Sequence, residues 1–250
     1  RGLLAAGLDF YVAYPMTPAT SILHFLAALQ KEGKIKVLQP ESELSVINMA
    51  LGMAYAGKRV AIGSASGGFA LMQEAFSFAG GAELPVVVAV SQRQAPATGV
   101  PTYSSQTDLR FVIHAGHGEF PRIVMAPGDA EEAFQLGAKA LNLAWQYQLP
   151  VIVLLDKIIS EHSQTATFDA SQIKVERPNP ADGQARIIPG TPGEVVKVTS
   201  YEHDMVGIST EDPAAIKATI DKRFAKAEII KESLTREEAI KVYGDLTSEN

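Results

Sequence analysis

Short apolar runs recur along the first 160 residues, and each run is bounded by glycine, proline or polar positions. The runs are rich in β-branched and aromatic residues, as buried strands are. Six strands are predicted in this way, at residues 10–14, 35–38, 59–63, 86–90, 123–126 and 151–155. Because apolar side chains fall on consecutive positions, both faces of each strand should be covered.

Longer stretches with helical spacing of apolar residues separate most of these runs. They lie near residues 20–29, 44–55, 69–78 and 133–143. Thr20 and Asp129 are candidate N-caps for the first and last of them. Strands that alternate with helices predict an α/β fold, specifically a doubly wound, mostly parallel six-stranded sheet.

The pattern changes after residue 160. Residues 163–213 contain five prolines and four glycines without a clean period, and only residues 195–199 suggest a strand. We therefore predict an α/β domain over residues 1–160 and an extended arm over residues 161–213 that packs over a partner or another domain. A helix over residues 214–250 should lead to a missing C-terminal domain. The first residues are typical of a helix end, so we expect the chain to be a fragment.

Composition narrows the function classes. The chain is 46% hydrophobic, which is enough for a sizeable core, and its net charge is −6 without a basic block. Neither nucleic acid nor an anionic membrane is therefore expected as the main partner. The chain contains no cysteine, so it holds no disulfide, thiolate-bound metal or iron–sulfur cluster of its own. This composition is compatible with a cytoplasmic location, which we expect.

Polar loops follow the first four predicted strands, at residues 14–20, 39–43, 64–68 and 91–96. Ligands of a doubly wound sheet bind beyond the carboxyl ends of its strands. Because parallel strands end at the same edge, the four loops should together line one cleft.

Three residues of these loops are candidates for ligand binding, and each has a structural alternative. Thr17, held between two prolines, offers a hydroxyl to a ligand, although the segment can equally be a simple strand exit. Glu43 either interacts with the helix dipole or points inward and shares a proton with a ligand. Arg93 either pairs with Glu74 or Glu83, or clamps a substrate carboxylate.

Two further motifs carry weaker signals. Ser66 half-resembles a nucleophile elbow, and with Asp156 and His162 it would complete a hydrolase triad. The turn around Ser66 is also typical of an anion site, although it lacks the lysine of a P-loop. His114 and His117 have no third ligand nearby, so a metal site is not expected.

The four loops together resemble the α subunit of 2-oxoacid:ferredoxin oxidoreductases. The motifs that carry the resemblance are Tyr-Pro-Met-Thr-Pro at 14–18, Glu-Ser-Glu at 41–43, Ser-Gly-Gly-Phe-Ala-Leu-Met at 66–72 and Gln-Arg-Gln-Ala-Pro-Ala-Thr-Gly-Val-Pro-Thr at 92–102. His-Gly-Glu-Phe-Pro-Arg at 117–122, Glu-His-Asp at 202–204 and Ser-Thr-Glu-Asp-Pro at 209–213 fit the same family. The family commonly has isoleucine in place of Met16, and Gly-Gly-Pro-Ser at 94–97, where this chain has Gln-Ala-Pro-Ala.

The resemblance implies the pyrimidine-binding domain of a thiamine diphosphate enzyme. Glu43 falls on the position of the family's cofactor-activating glutamate, whose carboxyl bonds N1′ of the aminopyrimidine. Thr17 and Arg93 fall on positions that bind the 2-oxoacid carboxylate. Pro15, Ser66 and Gly67 are expected to contact the cofactor.

The implied reaction is oxidative decarboxylation of a 2-oxoacid with coenzyme A, with electrons passing to ferredoxin. The family places Mg²⁺ and a [4Fe–4S] cluster on a separate β subunit, which this chain would need as a partner. The residues of the motifs at 92–102 and 117–122 resemble the 2-oxoglutarate branch of the family, so 2-oxoglutarate is the expected substrate. Pyruvate and a branched-chain 2-oxoacid are the alternatives. We hypothesise that His117 or Arg110 binds a distal carboxylate. A Ser66 hydrolase and a non-catalytic docking domain remain the competing classes.

Overall fold

The computed structural model describes residues 1–175, 187–234 and 239–240. Its centre is a parallel sheet of six strands, which confirms the predicted α/β, doubly wound architecture. The strands are β1 (Phe10–Val12), β2 (Lys36–Leu38), β3 (Val60–Ser64), β4 (Val87–Ser91), β5 (Ile123–Met125) and β6 (Val151–Leu155), in the order β2-β1-β3-β4-β6-β5 across the sheet. The central strands β3, β4 and β6 are buried along their whole length, as their uninterrupted apolar sequences predict.

Helices cover both faces of this sheet. In chain order they are α1 (Gly2–Ala5), α2 (Thr20–Gln30), α3 (Glu43–Tyr55), α4 (Ser66–Leu71), α5 (Gln73–Gly81), α6 (Leu109–Ile113), α7 (Ala130–Tyr147), α8 (Lys157–Glu161) and α9 (Pro213–Ser233). Side chains of α3, α4 and α5 build one core cluster, and those of α2 and α7 build the other. The sheet lies between the two clusters.

Some local predictions hold and others were wrong. Asp129 caps α7, because its carboxylate accepts the Glu132 N–H at 2.8 Å. Thr20 is not a cap but the first residue of α2. The helix predicted near residues 69–78 is two helices, which end and begin on either side of Met72 (φ −90°, ψ 0°). Packing of Phe69 and Met72 into the core accompanies this break.

The segment 195–199, predicted as a strand, pairs with no strand in the described ranges. Instead the Tyr55 hydroxyl of α3 donates a hydrogen bond to the Val196 carbonyl at 3.0 Å. The segment therefore lies beside α3 and not along an edge strand of the sheet. The arm thus contacts the α/β domain of its own chain.

Helix α9 is attached to the α/β domain by charged side chains. Lys222 and Lys226 both pair with Glu83, which follows α5. Burial acts to raise the pKa of the Glu83 carboxyl, but the ammonium groups of Lys226 and Lys222 outweigh it and hold that pKa below its usual range. Arg223 donates to the Gly81 carbonyl at 3.0 Å and to both carboxylate oxygens of Glu202 at 2.6 and 2.7 Å. The arm, α9 and α5 are therefore tied together at one corner.

Candidate active site

The strand order places a topological switch point between β1 and β3. From β1 the chain moves to β2 on one side, and it then crosses to β3 on the other side. In such sheets a crevice opens beyond the carboxyl ends of the two strands at the switch point. Met16 and Thr17 follow β1, and Ser64 ends β3. The predicted loops 14–20 and 64–68 therefore border this crevice.

Glu43 reaches the crevice from the first position of α3. Ser42 caps this helix by accepting the Ser45 N–H at 3.3 Å, and its extended backbone brings the chain in from β2. The Glu43 side chain points inward and is only 4% exposed. Its Oε1 atom is buried and has no hydrogen-bond partner in the part of the chain that is described. A buried carboxylate oxygen without a partner is costly, which marks it as a site for a ligand hydrogen bond.

Gly68 of α4 supports the Glu43 carboxyl from below. A Cβ atom at position 68 would lie 2.7 Å from Glu43 Oε1, 2.9 Å from Glu43 Cγ and 2.1 Å from Ser64 Oγ. The Ser64 hydroxyl in turn lies 3.8 Å from Met16 Sδ. Residues from three of the predicted loops thus meet around one carboxylate.

Arg93 and Thr17 are in direct contact. Arg93 follows β4, is 9% exposed, and donates from Nη1 to the Thr17 carbonyl at 2.8 Å. The alternative that Arg93 pairs with Glu83 was wrong, because Glu83 pairs with Lys222 and Lys226. Glu74 is exposed and forms no ion pair with Arg93 in the described ranges. The guanidinium keeps further N–H donors for a ligand.

Ser66 has an unexpected partner, since its hydroxyl donates to the carboxylate of Asp108. Asp156, which a hydrolase triad would require, instead caps α8 through the Ile159 N–H at 2.8 Å and accepts from Gln106 Nε2 at 2.8 Å. The Ser–Asp–His alternative is therefore wrong for these residues. Gly67 lies at the exposed start of α4, beneath the Ala97 carbonyl.

Three other predicted residues lie on the surface. Pro15 is exposed at the rim of the loop after β1. His117 is exposed, and its backbone N–H donates to the Ser77 hydroxyl of α5 at 2.7 Å. Arg110 is exposed on α6. None of the described residues forms a cluster of three or more His, Cys, Asp or Glu side chains with metal-binding spacing.

Comparison with known proteins identifies the family. The model of the pyruvate flavodoxin/ferredoxin oxidoreductase thiamine diphosphate-binding family matches residues 1–222. The chain belongs to this family. Within the described ranges, no helix combines the length and apolar character that crossing a membrane requires.

Relatives of this thiamine diphosphate-binding domain are 2-oxoacid oxidoreductase subunits. The α subunit of 2-oxoacid:ferredoxin oxidoreductase 1 from Sulfurisphaera tokodaii is 37% identical over 277 aligned positions, which cover 100% of this chain and 44% of the relative. The 2-oxoglutarate synthase subunit KorA of Methanothermobacter marburgensis is 34% identical over 191 positions, which cover 76% of this chain and 50% of the relative. The chain thus spans about half the length of these relatives or less.

A solved structure shows the same fold as this family member. The 2-oxoglutarate:ferredoxin oxidoreductase of Magnetococcus marinus, with 2-oxoglutarate, coenzyme A and succinyl-CoA bound, matches with a TM-score of 0.85 and 31% identity. The match covers 94% of this chain and 44% of that chain.

The residues of the crevice fit the pyrimidine end of thiamine diphosphate. The unpartnered Glu43 Oε1 is suited to a hydrogen bond with a ring nitrogen. The space beside it depends on glycine at position 68. The chain has no cysteine, and the described residues include no metal-binding cluster. The crevice therefore offers a buried acceptor oxygen, and space beside it, that suit the aminopyrimidine.

Proposed function

We propose that this chain is the cofactor-activating part of a 2-oxoacid:ferredoxin oxidoreductase α subunit. The reaction is oxidative decarboxylation of a 2-oxoacid with coenzyme A, which gives an acyl-CoA and CO₂ and passes electrons to ferredoxin. The buried, unpartnered carboxylate of Glu43 beside Gly68 carries this proposal. Family membership and the names of the relatives support it.

The role proposed for Glu43 is proton sharing with the pyrimidine ring of the cofactor. Thiamine diphosphate, when bound, supplies the electron sink for decarboxylation. Glu43 Oε1 would share a proton with N1′ of the aminopyrimidine. The carboxyl is fixed at the start of α3 and packed against Gly68, so its position is set before the cofactor binds.

Arg93 and Thr17 orient the 2-oxoacid. The Arg93 guanidinium is held by the Thr17 carbonyl at 2.8 Å, so its remaining donors face a fixed direction. A carboxylate bound by this fork would have its ketone aligned for attack. The Thr17 hydroxyl provides a further donor. Pro15, Ser66 and Gly67 line the same edge, and we include them as cofactor contacts.

A β subunit completes the site in this proposal. It would bring Mg²⁺ and the [4Fe–4S] cluster, because this chain has neither a Gly-Asp-Gly motif nor a cysteine. Ferredoxin and coenzyme A act on the assembled enzyme, which we place in the cytoplasm. A relative is named a subunit α, which supports the heteromeric assembly.

We propose 2-oxoglutarate as the substrate, with pyruvate or a branched-chain 2-oxoacid as alternatives. The support is that several relatives are named 2-oxoglutarate synthase and that the solved relative contains 2-oxoglutarate. His117 or Arg110 would bind the distal carboxylate, and both are exposed, as a residue that meets an incoming ligand must be.

The test is reconstitution of the full-length α chain with its β subunit under anoxic conditions. Coenzyme A-dependent reduction of a viologen dye is measured with 2-oxoglutarate, pyruvate and a branched-chain 2-oxoacid. We expect the highest kcat/KM with 2-oxoglutarate. The preference for 2-oxoglutarate over pyruvate should fall in the doubly substituted His117→Ala, Arg110→Ala enzyme, since a distal carboxylate is present only in 2-oxoglutarate.

The controls separate the competing classes. Activity that survives Glu43→Gln unchanged would indicate a non-catalytic docking domain. No activity with any 2-oxoacid, in a complex shown to contain cofactor and cluster, would contradict the proposed function. An unchanged preference in the double variant would remove His117 and Arg110 from the substrate site.

A further inference from the structure

One buried carboxylate has no role in the function proposed above. Asp108 is 7% exposed, and the Ser66 hydroxyl donates a hydrogen bond to its Oδ2 atom. No lysine or arginine in the described ranges forms an ion pair with it. Burial of a carboxylate with a neutral partner costs folding free energy, so this contact calls for an explanation.

Ser66 connects Asp108 to the residues behind Glu43. Ser66 is the first residue of α4, and Gly68, two residues later, is packed against the Glu43 carboxyl and the Ser64 hydroxyl. A shift of the first turn of α4 would therefore move the surface that supports Glu43. The Ser66 hydroxyl ties this turn to Asp108.

Asp108 lies at the far end of the loop that begins with Arg93. Its backbone N–H donates to Gln92 Oε1 at 3.0 Å, and the Gln92 N–H donates to the Leu155 carbonyl of β6 at 2.7 Å. This hydrogen bond thus joins Gln92, the residue before Arg93, to Asp108, which ends the loop. The residues between them, 94–107, are mostly exposed, so the loop is held chiefly at its base.

The geometry points to Asp108 as a positioning residue. We propose that the Ser66–Asp108 hydrogen bond couples the first turn of α4, which contains Gly68, to the loop that carries Arg93. This coupling fixes the position of the Arg93 guanidinium relative to the Glu43 carboxyl. This inference rests on the proposed function. Asp108 itself contacts neither Glu43 nor Arg93 through a hydrogen bond in the described residues.

The coupling predicts an effect on substrate binding more than on the chemical step. In Asp108→Ala the base of the loop loses its bond to α4, and Arg93 is held less firmly. The KM for the preferred 2-oxoacid should rise roughly tenfold or more, because a hydrogen bond to a charged group is worth about a factor of ten or more. The kcat should change less than about threefold. Asp108→Asn keeps a hydrogen bond to Ser66 and should restore most of the KM.

The experiment uses the complete α–β complex and adds a readout that needs no turnover. Hydrogen–deuterium exchange is followed for loop 94–107 and for the first turn of α4. Exchange should accelerate in both segments in Asp108→Ala and in Ser66→Ala, but stay at the wild-type rate in Asp108→Asn. The exposed loop residue Ser104, changed to alanine, is the matched control and should alter neither exchange nor KM.

Each outcome decides the proposal. An Asp108→Ala enzyme with wild-type KM and wild-type exchange in loop 94–107 would overturn it. A loss confined to kcat would also overturn it, as would an Asp108→Asn enzyme no better than Asp108→Ala. If the wild-type complex oxidises no 2-oxoacid, the proposed function fails, and the exchange data alone then decide whether Asp108 couples the two segments. If Asp108→Ala does not assemble, hydrogen–deuterium exchange in loop 94–107 of Ser66→Ala decides the coupling, because KM in that variant would also reflect the cofactor contact proposed for Ser66. Exchange at the wild-type rate there would overturn the proposal.

Discussion

At the scale of single residues, Gly68 shows why the site tolerates no side chain at that position. The constraint is close contact rather than backbone conformation, since a Cβ there would come within 2.1 Å of Ser64 Oγ and 2.7 Å of Glu43 Oε1. Both neighbours are buried, so a Cβ at position 68 would have to push their side chains aside. The glycine is thus part of the mechanism that sets the Glu43 carboxyl.

Gly68→Ala should therefore displace Glu43 and inactivate the enzyme without unfolding it. We expect 2-oxoacid oxidation by the reconstituted complex to fall about 10²-fold or more, because a misplaced proton-transfer group loses much of its catalytic effect. The measurement is viologen reduction beside a circular-dichroism spectrum of the α chain. The matched control is Gly52→Ala in α3, where a Cβ meets no atom within 4 Å. Equal activity of both variants would contradict the assignment.

Sequence reasoning identified the residues that lie directly after strands. Thr17, Glu43, Arg93 and Ser66 could be selected because a parallel sheet brings its loops to one edge. Asp108 was missed because its partner Ser66 is 42 residues away, and no local pattern marks such a contact. The support that Gly68 gives to Glu43 was missed for the same reason, although the four small residues at 65–68 after β3 indicate a close approach of the backbone.

At the scale of elements, strands were predictable and helix breaks were not. Each of the six strands predicted within residues 1–160 overlaps an observed one, because a buried parallel strand is apolar at every position and the signal is local. The break at Met72 and the absence of pairing at residues 195–199 depend on neighbours that are distant in sequence. Periodicity cannot report such contacts, since it describes only the segment itself.

The attachment of α9 predicts a pH dependence of stability. The pKa of Glu83 is lower in the folded chain than in the unfolded chain, so its contribution is complete above the unfolded value near 4.5 and is lost as the pH falls through the lower, folded value. Glu83→Gln should lower the free energy of unfolding at pH 7 by about 2–3 kcal/mol, because Lys222 and Lys226 lose their shared partner.

Denaturant unfolding of wild type and Glu83→Gln between pH 3 and pH 8 checks this prediction. The difference in free energy of unfolding between the two proteins should shrink below about pH 4. The control is Asp221→Asn, which removes the exposed Lys217–Asp221 pair of the same helix and should cost about 0.5 kcal/mol or less. A Glu83→Gln difference that stays constant down to pH 3 would contradict the ion-pair account.

At the scale of the whole molecule, the fold gathers the candidate site residues at one edge of the sheet. The crevice at the switch point between β1 and β3 collects Met16, Ser64, Gly68 and Glu43, while the loop after β4 adds Arg93. Sequence motifs could predict this convergence, since it follows from parallel strands. The way in which the loops support one another could not be predicted, because it depends on side-chain contacts between them.

The proposed activation of thiamine diphosphate by Glu43 can be tested by hydrogen–deuterium exchange at C2 of the cofactor bound to the α–β complex. In wild type the exchange should be fast, and Glu43→Gln should slow it by roughly 10²–10⁴-fold, the range expected for loss of an acid–base group. Glu41→Gln, an exposed carboxylate two residues away, should leave the rate unchanged. Exchange that is equally fast in wild type and Glu43→Gln, with cofactor bound in both, would show that Glu43 does not activate the cofactor.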